Sequence, residues 1–205
     1  MTEGDEIRQA LRDIHRYWFG ELTAPDEFRR DKLDLWFRTS EETDRHIRDN
    51  WGALIPVAAA ADWDIATLSR EEAVALVVLL DQFPRNIFRG SGEAFACDAK
   101  ARQTARALLA PGVNRFYRIE RVALGIPFEH SEEIADQNYS LMYYGTLAVN
   151  APPAWTDFGG VMLDFATKHR DIVRRFGRFP HRNAALGRDS TPEEAAFVAE
   201  KGMGY

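Results

Sequence analysis

Apolar residues recur along most of the chain at the three- and four-residue spacing of an amphipathic helix. An early stripe runs from Ile7 to Trp18 and is followed by Gly20, and the longest stripe runs from Phe158 to Phe176 and is followed by Gly177. A glycine directly after the last turn is typical of a helix C-terminus. No sustained alternation of apolar and polar residues indicates a strand. The pattern therefore predicts an all-α protein of about eight helices, stacked as antiparallel pairs.

One predicted helix differs from the others because it is apolar on every side. Ser69 and Glu72 form a capping box, and the segment "AVALVVLL" follows them. A helix without a polar face has to be covered by other helices. The helix over residues 70–80 is therefore expected to be among the most buried elements of the fold.

The chain contains the sequence Phe-Pro followed by Arg and Asn twice. It occurs at Phe83–Asn86 and, with one residue inserted, at Phe179–Asn183. Proline disfavours the α conformation in the residue before it, so Phe83 and Phe179 are predicted to end helices. The arginine and asparagine side chains would then lie on exit loops beside the negative ends of those helices. Both loops are expected to face one region, closed by the acidic segment from Glu129 to Asp136.

Five arginines flank these motifs, and two interpretations of them stay open. They could bind carboxylates and helix-end carbonyls as a structural clasp, or they could line a pocket for an anionic ligand. Complete pairing would favour the clasp, whereas an arginine that faces a cavity would favour a site. The candidate ligand-binding residues are the arginines and their polar neighbours: Arg85, Asn86, Arg89, Glu129, His130, Glu133, Gln137, Arg178, His181, Arg182, Asn183 and Arg188.

The histidines and acidic residues allow an alternative chemistry. His130 and Glu133 have a spacing that a metal site can use, but no two histidines stand four residues apart and no H-E-x-x-H motif is present. No metal, no other cofactor and no catalytic residue is therefore predicted. A hydrolase that uses His130 or His181 with Glu129 or Glu133 remains an alternative, as does an interaction scaffold without a small-molecule site.

Composition narrows the possible partners. The 205 residues carry a net charge of -6, which argues against a nucleic-acid-binding surface. The longest apolar run is far shorter than the roughly 20 residues of a membrane helix. Cys97 is the single cysteine, as expected of a protein in the reducing cytoplasm. We expect one cytoplasmic domain over residues 1–205, with no nucleic-acid or membrane partner; the composition does not indicate an oligomeric state.

Several long motifs resemble a bacterial family known as domain of unknown function 924. They are "YWFG", "DLWF", "LLDQFPRNIFRG", "AFACDAKA", "PFEHSEEIADQ" and "HRDIVRRFGRFPHRNAALGRDSTPEE", which together span nearly the whole chain. The resemblance implies a tetratricopeptide-like α-α superhelix. The family has no established activity, so the resemblance implies no catalytic residues.

Taken together, these features favour a binding module over an enzyme. The conspicuous polar residues are hydrogen-bond donors, while a nucleophile motif and a metal cluster are missing. The expected ligand is an anionic small molecule or an acidic peptide. Its pocket should have a positive lining despite the net charge of -6, and phosphate, sulfate or simple dicarboxylates should stabilise the protein.

Overall fold

The computed structural model describes residues 3–201 and confirms the all-α prediction. These residues form ten α-helices and five short 3-10 helices, and none of them is in a strand. The count exceeds eight because two helices have only five and seven residues, too few to show a period. The α-helices are α1 (Glu3–Phe19), α2 (Leu33–Phe37), α3 (Glu41–Trp51), α4 (Leu54–Ala60), α5 (Arg70–Ile87), α6 (Asp98–Leu109), α7 (Arg118–Glu129), α8 (Ile134–Val149), α9 (Thr156–Phe176) and α10 (Pro192–Lys201).

The chain divides into two compact units. The first runs to Arg89 and resumes over Glu93–Pro127, so it contains α1 to α6 and most of α7. The second consists of Gly90–Gly92 and the chain from Phe128 onward, and it contains α8, α9 and α10. Among residues 3–201, no helix is both long and apolar enough to cross a membrane.

Helix α5 is the centre of the first unit. It packs against α1, α3, α4 and α6. Every side chain from Ala73 to Leu80 is at most 1% exposed, which confirms the expectation for this apolar segment. Because α5 is held on several sides, its last turns provide a rigid support for polar side chains.

The start of α5 has the predicted capping box. The Ser69 hydroxyl accepts a hydrogen bond from the backbone N–H of Glu72, and the Glu72 carboxylate accepts one from the N–H of Ser69. Replacing Ser69 with alanine is expected to lower the free energy of unfolding by about 1 kcal/mol, because an N–H of the first turn loses its acceptor. Urea denaturation would measure this change. An unchanged unfolding midpoint would contradict it.

The prediction that Phe83 ends a helix is wrong. Helix α5 continues through Pro84 to Ile87, and Phe83 is fully buried. Pro84 has no N–H to donate to the preceding turn, but the helix resumes beyond it because the N–H of Phe88 donates to the Pro84 carbonyl at 2.9 Å. The Arg85 side chain turns back to donate to the Asp81 carbonyl at 2.6 Å. Burial of Phe83 and these bonds outweigh the local preference.

The second motif behaves as predicted. Helix α9 ends at Phe176, and Gly177 takes the left-handed conformation with φ of 70°. Phe179 follows in extended backbone and is fully buried. Its ring belongs to a core cluster with Ile172 and Val173. Helix α9 packs against α8, and α10 packs against the 3-10 helix at Pro180–Arg182. Phe179 therefore anchors the loop that carries the second Arg-Asn pair.

Candidate functional site

The twelve candidate ligand-binding residues divide between the two units. Arg85, Asn86 and Arg89 belong to the first unit, and the other nine belong to the second. The expectation that both motifs face one region stays a prediction.

A pocket of about 110 Å³ in the first unit brings three of the candidates together. One wall is formed by Gln82, Arg85, Asn86 and Arg89, which follow one another at helical spacing around the C-terminal end of α5. The rest of the lining is formed by Trp18 of α1 and by residues 35–39, which include the end of α2. The motifs "YWFG", "DLWF" and "LLDQFPRNIFRG" thus supply most of the lining.

Asp44 of α3 holds two of the donors that line the pocket. The Arg89 guanidinium donates to it through Nε at 2.7 Å and Nη2 at 2.9 Å, and Asn86 Nδ2 donates at 2.8 Å. Asp44 is 8% exposed. Burial by itself would raise the pKa of Asp44, but the hydrogen bonds from Arg89 and Asn86 hold it below its usual value. Asp44 therefore stays ionised and fixes both donors.

Arg85 is fixed in a similar way by Asp98. Its Nη1 and Nη2 atoms donate to the two carboxylate oxygens at 2.8 and 2.9 Å, a fork geometry that only arginine provides. Nη1 also lies 3.5 Å from a carboxylate oxygen of Asp81. Gln82 Nε2 donates to the other Asp81 oxygen at 2.6 Å. Carboxylates thus fix the Arg85 and Gln82 side chains, which therefore need little reorganisation to bind a ligand.

Three aromatic residues, Trp18, Trp36 and Phe37, also line the pocket. Trp36 Nε1 donates to the Trp18 carbonyl at 3.0 Å, which links the end region of α1 to α2. Trp18 is 4% exposed and packs edge-on against Phe83, whose ring centroid lies 5.8 Å away. Phe37 is 53% exposed. Aromatic residues therefore border the pocket, but most of the surface that it exposes is polar.

The charged groups at the pocket are arginines, each of which pairs with an aspartate outside the lining. The lining includes three arginines and no carboxylate. Asp98 and Asp81 lie at Arg85, Asp44 at Arg89, and Asp34 at Arg38, where both side chains of the pair are largely exposed. A further guanidinium, that of Arg48, acts electrostatically on Asp44. These four arginines and four aspartates balance in formal charge.

In the second unit, Glu132 joins the start of α8 to the loop after α9. Arg188 donates to both oxygens of Glu132, at 2.7 and 2.9 Å, and the N–H of Phe179 donates at 2.8 Å. Burial would raise the pKa of Glu132, but the hydrogen bond from Arg188 keeps it below its usual value. Arg188 is therefore a structural link between two segments.

Arg178 forms a second link of the same kind. Its guanidinium donates to both oxygens of Glu194, at 2.6 and 2.8 Å, and the N–H of Thr191 donates to the same carboxylate at 2.8 Å. The hydrogen bond from Arg178 lowers the pKa of Glu194 to about 2. Asn183 is 1% exposed and donates to the Ser190 hydroxyl at 3.0 Å. These bonds fix the start of α10.

Arg182 and Gln137 bind backbone carbonyls near the end of α7. Arg182 is 6% exposed, donates to the His130 carbonyl at 2.9 Å and places its guanidinium 4.4 Å from the centre of the Phe179 ring. Gln137 is fully buried and donates to the carbonyls of Glu129 and Ser131, at 2.7 and 2.6 Å. Both side chains satisfy the orphan acceptors of a helix end.

The remaining candidates of the second unit differ in their burial. Glu129 is 4% exposed, whereas Glu133 is exposed and precedes the first residue of α8. Burial is the main cause that lowers the pKa of His181 to about 4, and the positive charge of Arg182 lowers it further. His181 is therefore neutral at pH 7 and is a weak general base. Among the described residues, no group of three or more histidine, cysteine, aspartate or glutamate side chains could hold a metal ion.

The criterion of complete pairing is met by both groups, so pairing by itself does not separate a clasp from a site. All five arginines bind a carboxylate or a helix-end carbonyl. In the second unit, the arginines that do so, Arg178, Arg182 and Arg188, form a clasp. In the first unit, Arg85 and Arg89 are paired and also line a pocket. This pocket is therefore a candidate ligand site within the first unit.

Sequence reasoning missed several parts of these sites. Asp44, Asp98 and Glu194 were not identified as partners of the arginines, whereas Glu132 lies in the acidic segment from Glu129 to Asp136. Trp18 and Trp36 were seen only as parts of two short aromatic motifs. Those motifs were the available signal for the second wall of the pocket.

The fold and the pocket define an all-α protein of packed helix pairs with an arginine- and tryptophan-lined pocket. The chain belongs to the family described as bacterial protein of unknown function (DUF924), whose family model matches residues 14–202. A solved structure titled as the protein of unknown function ATU0120 from Agrobacterium tumefaciens is similar, with 32% sequence identity and a TM-score of 0.74. The match covers 97% of this chain and 99% of that one. No curated protein matches the chain.

Proposed function

We propose that the chain is a binding module for an anionic small molecule, which it binds in the pocket at the C-terminal end of α5. The observation that carries this proposal is the double role of Arg85 and Arg89. Each lines the pocket while carboxylates behind it fix its guanidinium. Fixed donors bind an anion at a lower entropic cost than mobile ones.

A small molecule suits this pocket better than an acidic peptide. Its volume of about 110 Å³ lies below the several hundred Å³ typical of sites for drug-sized ligands. A peptide would also need an extended groove or a sheet edge along which to lie. The ligand is therefore compact, or only a small anionic group of it enters.

Arginine replacements at the pocket should abolish stabilisation by small anions. Acetate, phosphate, sulfate and succinate should each be tested for a rise in melting temperature, with magnesium chloride as the cation comparison. An anion that binds only the folded protein contributes about 1.4 kcal/mol at ten times its Kd. We expect Arg89→Met to lose the response because the anion loses a guanidinium. Arg38→Glu should weaken it through charge repulsion, at little cost in stability, since the Arg38 side chain is 75% exposed.

Arg174→Met is the matched control, since Arg174 is an exposed arginine of α9 in the second unit. It should respond to anions as the unsubstituted protein does. The proposal fails if no anion stabilises the protein, if magnesium alone does, or if the response persists in both Arg89→Met and Arg38→Glu.

A further inference from the structure

We infer that the ligand of this pocket is a small hydroxy acid, an anion that carries a hydroxyl group beside its carboxylate. This inference rests on the proposed function and names the chemical class of its ligand. It follows from two amide oxygens in the pocket lining, from the arginines beside them and from the volume of the pocket.

Aspartates set the orientation of the two amide side chains that line the pocket. Gln82 Nε2 donates to Asp81 at 2.6 Å, and Asn86 Nδ2 donates to Asp44 at 2.8 Å. A carboxylate accepts hydrogen bonds and does not donate them, so each amide has to turn its NH2 group toward its aspartate. The oxygen is therefore the end of each amide that remains for another partner.

The two amide oxygens can accept a hydrogen bond from a ligand. Within residues 3–201, no group donates to Gln82 Oε1 or to Asn86 Oδ1, and neither oxygen is fully shielded from solvent. Gln82 and Asn86 lie about one turn apart on the same face of α5. An anion such as acetate has only acceptors to offer them. A hydroxy acid can donate its O–H to one of these oxygens.

Arginines on the same part of α5 supply donors for the carboxylate of the ligand. Arg85 and Arg89 alternate with the two amides around the end of the helix, and both line the pocket. Asp44 accepts from Nε and Nη2 of Arg89, whereas Nη1 bonds to no residue that the structure describes. The Arg89 side chain is 42% exposed. A ligand carboxylate can therefore accept from Arg89 Nη1 while the pair with Asp44 stays intact.

The lining favours a hydroxyl over an ammonium group as the donor of the ligand. It contains three arginines and no carboxylate, so an ammonium group would lie near guanidinium groups with no lining carboxylate to pair with. A neutral O–H avoids this repulsion. The volume of about 110 Å³ equals that of roughly four molecules of liquid water, so only a compact acid suits it.

Glycolate, propionate and glycine separate these features. They have nearly the same size and the same carboxylate, but they carry a hydroxyl, a methyl and an ammonium group, respectively. Titration followed by the amide NMR signals of the protein measures their affinities even where binding is weak. We expect glycolate to bind at least about fivefold more tightly than propionate, because it forms one more hydrogen bond. Glycine should bind more weakly than glycolate.

Replacing the amides tests whether they cause this preference. Gln82→Met and Asn86→Met each remove one amide oxygen, and the preference for glycolate over propionate should fall in at least one of them. Arg174→Met, on the exposed surface of α9, should keep the preference. The comparison of the three acids uses the unsubstituted protein, so it decides the case even if a variant does not fold.

The outcomes separate the ligand class from the proposed function. If glycolate and propionate bind equally well and Arg89→Met abolishes their binding, the ligand class is wrong and anion binding stands. The ligand class is also wrong if glycine binds as tightly as glycolate, if both amide variants keep the full preference, or if sulfate binds and none of the three acids does. If neither the acids nor sulfate nor phosphate binds, the ligand class and the proposed function both fail.

Discussion

Replacement of Arg182 by methionine is expected to lower the free energy of unfolding by about 3 kcal/mol. The side chain is 6% exposed, so its hydrogen bond to the His130 carbonyl is shielded from water. Loss of a buried bond to a charged donor costs roughly 1 to 3 kcal/mol, and loss of the guanidinium from the face of Phe179 adds about 1 kcal/mol. Methionine replaces the volume but provides neither interaction. Urea denaturation at neutral pH measures the change.

Arg174→Met provides the matched control for this prediction. Its side chain is exposed on α9, so the substitution should change the free energy of unfolding by less than about 0.5 kcal/mol. If Arg182→Met is as stable as the control, Arg182 is not part of a clasp. The loop after α9 would then regain its place as a candidate ligand site.

The second large effect is a loss of stability in mild acid. Burial is the main cause that lowers the pKa of His169 from 6.5 to about 4, and His169 is 6% exposed. His181 shifts in the same direction but is less buried. Between about pH 6.5 and pH 4 the unfolded chain binds more protons than the folded chain. Stability is therefore complete above about pH 6.5 and decreases as the pH falls toward 4, with His169 contributing about 3 kcal/mol.

Urea denaturation at several pH values between about 7 and 4.5 tests this dependence. His169→Met should make the profile shallower, because the substituted side chain does not titrate, and the contribution of His181 should remain. The shifted carboxylates Glu132 and Glu194 affect a lower range, since their stabilising interactions are lost only as the pH falls below their ordinary pKa near 4.5. An unfolding free energy that stays constant from pH 7 to 4.5 would show that burial of His169 does not oppose its protonation.

The helices were predictable from the sequence because their signals are local. The stripe that ends at Phe176, the glycine after it and the capping box at Ser69 lie within a few residues of the features they determine. The prediction that Phe83 ends a helix was wrong because it rested on a local signal alone. The preference of a residue before proline is weak compared with the burial of a large aromatic ring, and burial is decided by the rest of the unit.

The partners of the arginines were not predictable, because they lie far from the arginines in the sequence. Asp44 lies 45 residues before Arg89, and Glu132 lies 56 residues before Arg188. Nothing in the local sequence distinguishes Asp44 from the other acidic residues of its helix. The motifs identified which arginines are held in place, whereas the fold determines which carboxylates hold them and which of them line a pocket.

Anomalous diffraction from crystals of the protein grown with selenate would test the central claim most directly. The selenium atom of selenate locates the anion without ambiguity. We expect its peak in the pocket at the C-terminal end of α5, with the anion within hydrogen-bonding distance of Arg89 or Asn86. A peak beside His181 and Arg182 in the second unit, or no ordered ligand at a concentration that saturates binding in solution, would contradict the assignment of the pocket.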